Sequence, residues 1–287
     1  MTQFSPSDAA LEGFRLTREH PLIVLGWSAV YLVGILLIGV IMAAALGPAF
    51  VELARKGPLT DAADLQAVAD LLAKSWPTFL MVMVAAAFLM SVITAGVMRL
   101  VLRPTEPGPL HLRLGATELR LTAANLICVG IYAASAVLAI VFTAGATTVG
   151  EIGAFLALVL VLAFGLWLGV RLSLLTPTVF VTNRVSVGEA WRNTQGRFWP
   201  LFGMIVMAVV FYVIIWILFS MIAFAVVELA GGQGAMRDPG RLGAVGVVAL
   251  FVTLLLQFVL QVLQIVMIYA PFAVAYRDLV GAAPDAG

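Results

Sequence analysis

An all-α bundle that crosses a membrane six times is the fold this sequence predicts, and three observations predict it. Hydrophobic residues make up 63% of the 287 and charged residues only 11%, where soluble domains hold about half and about a quarter. The charges gather in short segments between apolar runs of bilayer length, roughly 20 residues each. Lysine and arginine are also more numerous in the segments on one side than on the other, as in the connections of a polytopic protein.

The first helix is read from Ser5 to His20. Ser5 suits an N-cap, Pro6 the first helical position, and Asp8 the third. Ala10, Leu11 and Phe14 offer an apolar patch beside Arg15 and Arg18, so a surface helix is expected at about 6–19. His20-Pro21 ends it, because the residue before proline is pushed out of the helical region. The first span follows at 22–46, stopped by Gly47-Pro48. A charged segment comes next, with a helix expected from Thr60 to Trp76, carrying Asp61 and Asp64 in its first turn, where the dipole favours them. Pro77 opens the second span, 77–102. Prolines 104, 107 and 109 then forbid helix until about Leu110.

The third span runs over 121–143, with a helix starting at about Ala116. The fourth, 152–175, holds Gly165 and Gly169 at the GxxxG spacing that permits close helix packing. Pro177 kinks or stops it. The polar stretch Ser186–Leu201, SVGEAWRNTQGRFWPL, is the segment around which the rest is arranged. Ser186 and Glu189 stand at capping-box spacing. Val187, Ala190, Trp191, Thr194 and Phe198 share one helical face, and Arg192, Asn193, Gln195 and Arg197 the other. An amphipathic helix at 187–199, lying at the membrane interface through Trp191 and Trp199, is one reading. An ordinary basic loop is the other. Pro200 opens the fifth span, 200–227. A glycine-rich loop, expected to be mobile, leads to the sixth, 244–270.

Of the 16 lysines and arginines, Arg55, Lys56, Lys74, Arg237 and Arg241 fall after odd-numbered spans. The rest fall on the other side, so both termini are expected in the cytoplasm. The polar lead and the first apolar run are both longer than a cleaved signal peptide carries. A single integral membrane domain over 1–287 is expected. Sliding the chain by 179 positions brings Ser7 onto Ser186, Arg18 onto Arg197 and Pro21 onto Pro200. This fits three units of surface helix plus hairpin, with Ala116–Asn125 leading the middle one. It equally fits similar physical demands met by similar residues.

The order Arg171-Leu-Ser-Leu-Leu-Thr-Pro177, then Glu189-Ala-Trp-Arg-Asn-Thr-Gln-Gly-Arg-Phe-Trp199 before a long apolar run, resembles the glycerophosphodiester phosphodiesterase membrane-domain family. Ala10-Leu-Glu-Gly-Phe14 is similar to that family's lead-in. The resemblance implies a helical integral membrane protein of the bacterial cytoplasmic membrane, and little about activity.

Chemistry is sparse. A metal-dependent diesterase barrel needs roughly 250 residues of its own, and there is no room for one. His20 and His111 lie outside the spans and lack zinc-site spacing. Ser91, Ser135 and Ser220 have no histidine or lysine partner in the same helix. Glu52, Glu151 and Glu228 lie near span ends, unlike a proton relay. Cys128 reads as a small buried hydrophobe. No catalytic residue, metal or cofactor is expected, and with a net charge of +1 no nucleic acid.

One polar cluster remains. Gln257, Gln261 and Gln264 follow helical spacing on the sixth span, and Arg171, Asn125 and Arg99 lie at comparable depth on the fourth, third and second. They could simply join helices while the arginines snorkel, or form an inner-leaflet pocket for anionic lipid headgroups. The Arg171 guanidinium is expected to reach a glutamine of the sixth span or a carbonyl freed by Pro177. A lipid-interacting scaffold or envelope protein is one function this fits; a transporter or permease component for a small or lipidic substrate is the other.

Overall fold

Proline at a first helical position and serine before it decide how the chain begins. Ser5 Oγ accepts from the Asp8 amide at 3.4 Å, and α1 (Pro6–Glu19) runs to His20. A computed structural model describes residues 4–55, 62–106, 108–147, 150–232 and 243–281. The start of the helix expected at Thr60 and the glycine-rich loop over 233–242 lie outside the described residues.

Beyond α1 come α2 (Pro21–Arg55), α3 (Ala62–Leu102), α4 (Ala116–Ala146), α5 (Glu151–Leu172), α6 (Leu175–Thr182), α7 (Val187–Asn193), α8 (Phe198–Leu229) and α9 (Ala244–Val280). Six stretches within them are long and apolar enough to cross a membrane. The six spans stand, with corrected edges. α2 passes through Gly47-Pro48, α3 joins the Trp76 helix and the second span through Pro77, and α9 continues past Pro271. A proline removes one ladder hydrogen bond, and in apolar surroundings the remaining ladder is worth keeping because no water replaces it.

The fourth span breaks earlier than expected. Pro177 has no N–H for the Ser173 carbonyl four residues back, and the helix divides at Ser173–Leu174. The hydroxyl of Ser173 turns back to the Val170 carbonyl at 2.8 Å, and that of Thr178 to the Leu174 carbonyl at 2.6 Å. Leu175 to Phe180 of α6 are buried, and Asn183 ends the helix in the left-handed region. The polar stretch is also shorter as a helix than expected. Ser186 Oγ caps the Glu189 amide at 3.3 Å, but α7 ends at Asn193, and Gly196 at φ +70° turns the chain into α8, which starts at Phe198 rather than Pro200.

α9 is the central element. It packs on α8, α1, α3, α2 and α6. The buried core lies at the end that carries α1, α6, α7 and the α3–α4 connection, here termed the basic end. It takes Ile93 to Met98 of α3, Leu174 to Phe180, Ala190, Leu201, Met204 and Val262 to Tyr276. Toward the opposite end, apolar side chains such as Leu37, Leu138, Phe155 and Met221 are exposed. Hydrocarbon tails are as apolar as leucine, so such surfaces cost nothing within a bilayer.

The face by which α1 docks is the one opposite Leu11 and Phe14. Ala9, Ala10, Gly13 and Leu16 are buried, while Leu11 and Phe14 are exposed with Arg15 and Arg18. Small residues win the contact because they let the backbones of α1 and α9 approach. The middle unit of the supposed repeat has no separate surface helix, since Ala116–Asn125 is simply the start of α4.

Candidate functional site

Helical spacing brings Leu160, Phe164, Trp167 and Arg171 onto one face of α5, at intervals of four, three and four. Arg171 is the charged end of that face. Its guanidinium carbon lies 5.7 Å from the Trp167 ring centroid and 5.5 Å from that of Trp191 on α7. The two rings meet edge to face at 5.1 Å, and Phe164 adjoins Trp167 at 5.8 Å. Both cation–π distances fall within the attractive range of about 6 Å. Nε and Nη1 of Arg171 are buried and have no hydrogen-bond partner among the described residues.

This corrects the partner expected for Arg171. Gln261 and Gln264 bond elsewhere: Gln261 Nε2 donates to Gln264 Oε1 at 3.3 Å, and the Tyr212 hydroxyl on α8 donates to the same oxygen at 3.3 Å. Nor do Arg171 Nε and Nη1 bond the Ser173 carbonyl that Pro177 leaves free. Aromatic faces hold the charge instead.

The six polar residues therefore do not form one pocket. Asn125 Nδ2 donates to Ser91 Oγ at 2.9 Å, joining α4 to α3. Gln257 is exposed beside a 50 Å³ cavity between α8 and α9. Arg99 is buried and paired: Nη2 bonds the Glu118 carboxylate and Nη1 donates to the His111 carbonyl at 3.1 Å. Its charge is neutralised within the protein, so it is removed from the anion-binding set.

Around Arg99 the α3–α4 connection folds inward. Leu110 and His111 both adopt left-handed backbone, at φ 55° and 54°, a conformation that costs such residues energy unless surrounding contacts impose it. Those contacts are present. The Trp27 indole donates to the Leu110 carbonyl at 2.8 Å, and the Leu110 and Leu112 side chains fill the space left by Gly26 and Gly96. Arg99 and Arg103 also lie over the Phe180 ring at 5.8 and 5.1 Å. Sequence reasoning missed Glu118, Trp27 and Phe180, because these partners are separated by a loop or by whole helices.

On the polar stretch, Arg192 and Trp199 are exposed, and Trp191 is half-buried against α5. Arg197 Nη1 donates to the Leu279 carbonyl at 2.9 Å, tying the start of α8 to the end of α9. Asn193 reaches Thr178 Oγ1 at 3.4 Å. The polar stretch thus braces the basic end of the bundle as well as facing outward. Among the described residues, no three histidine, cysteine or carboxylate groups are gathered as a metal would need.

Six apolar helices of membrane length around a core concentrated at one end define a polytopic integral membrane protein. No family model, curated protein or solved structure matches the chain. The family resemblance of the 171–199 stretch rests on its letters alone.

Proposed function

We propose that this is a non-enzymatic protein of the bacterial cytoplasmic membrane, with both termini in the cytoplasm, that binds anionic lipid headgroups of the inner leaflet at Arg171. One observation carries the reading. Arg171 lies over two indole rings while its buried Nε and Nη1 have no hydrogen-bond partner among the described residues. Leaving a buried donor unbonded costs about 1–3 kcal/mol, and more for a charged group. A phosphate beside the guanidinium supplies charge-assisted acceptors for this unsatisfied cation, which arginine binds strongly. The excess of arginine at this end supports the same reading, since juxtamembrane basic residues are drawn to anionic leaflets at about 1 kcal/mol each.

Native mass spectrometry of the gently extracted full chain tests it. The wild type should retain phosphatidylglycerol or another anionic phospholipid, and Arg171→Gln should lose it while remaining folded. Equal retention by the two proteins would end the reading.

A further inference from the structure

The aromatic stripe that ends in Arg171 begins in a groove. Between α4 and α5, toward the opposite end of the bundle, lies an open apolar groove of about 660 Å³, lined by Tyr132, Ser135 and Phe142 from α4 and by Leu160, Phe164 and Gly165 from α5. Gly165 belongs to the GxxxG pair, yet it does not bring helices together: a Cβ built on it meets nothing within 4 Å. The glycine keeps the groove open. Its partner Gly169 faces the Tyr132 hydroxyl, which would stand 3.6 Å from a Cβ there. Phe164 belongs both to the groove wall and to the ring series leading through Trp167 to Arg171.

Distance gives this continuity a meaning. From Leu160 to Arg171 the helix climbs about 16 Å at ~1.5 Å per residue. Half of a bilayer's hydrocarbon core is about 15 Å deep. A cation at one end of a one-leaflet apolar trough is complementary to a phospholipid, with phosphate above and hydrocarbon below. We infer that the α4–α5 groove seats an acyl chain of the same lipid whose phosphate Arg171 holds, so that the ligand class is an intact anionic phospholipid with long tails. This rests on the headgroup reading above. The Tyr132 hydroxyl lies beside Gly169, two residues before Arg171.

The test uses full-length protein in detergent, delipidated and titrated with defined lipids, with bound lipid counted by native mass spectrometry. The probes are dioleoylphosphatidylglycerol and its short-tailed dihexanoyl counterpart. The wild type should bind the dioleoyl lipid at least tenfold more tightly. Gly165→Phe fills the groove from a position with open space around it, and should weaken the dioleoyl lipid about tenfold while leaving the dihexanoyl lipid unchanged. Gly165→Leu, a smaller filling, should fall between. Arg171→Gln should weaken both lipids. If Gly165→Phe binds the dioleoyl lipid as the wild type does, the groove inference is overturned and the headgroup reading survives. If Arg171→Gln binds both lipids as the wild type does, the headgroup reading fails and takes the groove inference with it.

Discussion

Gly13 rests directly on the backbone of Met267: a Cβ built at Gly13 would stand 2.8 Å from Met267 Cα and 3.1 Å from the Val266 carbonyl oxygen. Backbone cannot move aside as a side chain can. α1 is thereby a packed member of the bundle, fitted against α9 at a depth that only glycine permits.

Gly13→Ala should therefore push α1 off α9. Overpacking of this kind costs about 1–3 kcal/mol. The expected outcome is a lowered Tm in detergent and faster proteolysis near the N-terminus. An alanine variant as stable as the wild type would show that α1 is not docked as described.

Arg99 and Glu118 give the second prediction. Both are almost wholly buried and bonded to each other. Removing one partner strands the other charge, at a cost of roughly 3–5 kcal/mol. Glu118→Leu alone should destabilise strongly, and so should Arg99→Met alone. The double variant should recover much of the loss, because it leaves no buried charge. Thermal unfolding of the four proteins completes the cycle, and strictly additive losses would deny the pairing.

The sequence made the spans, the α1 cap and the Ser186 cap legible, because each depends on residues within one turn or on the mass of an apolar run. Depth along the membrane normal was also read from the sequence, and it set Arg171, Gln261, Asn125 and Arg99 at similar levels. Azimuth was not. Whether two residues at one depth meet depends on how helices rotate against each other, and that is fixed by packing between distant segments. Arg99 found Glu118 across a folded-back loop, and Arg171 found Trp191 across the α6 detour. The docking face of α1 was not legible for a related reason: large apolar residues mark hydrophobicity, whereas Ala9, Ala10 and Gly13 mark closeness. The stripe of Leu160, Phe164, Trp167 and Arg171 was present in the spacing, but its meaning needed the groove beside it.

Orientation gives the third prediction. The arginine excess lies on the side of Gly188, and Thr147 lies in the connection at the opposite end. In a Cys128→Ala background, Gly188→Cys should react with impermeant thiol reagents only in inverted membrane vesicles, and Thr147→Cys only in intact cells. Gly188 is exposed with open space around it, so the substitution disturbs no packing. Labelling of the two positions from the same side would break the six-span topology, and reversed labelling would invert it.

Trp191 supplies the last prediction, because it separates holding a charge from merely covering it. The ring lies over Arg171 and meets Trp167 edge to face. A desolvated cation–π contact is worth up to about 2 kcal/mol, and an exposed one about 0.5–1 kcal/mol. Trp191→Phe keeps an aromatic face and should preserve most of the stability and of the lipid retention. Trp191→Leu keeps apolar bulk but loses the quadrupole, so the guanidinium is held in place less firmly. Its effect should be modest on Tm and larger on retained anionic lipid, with a loss of about threefold to tenfold. If leucine serves as well as phenylalanine in both measurements, apolar cover is all that Trp191 provides, and the orientation of Arg171 must come from Trp167 alone.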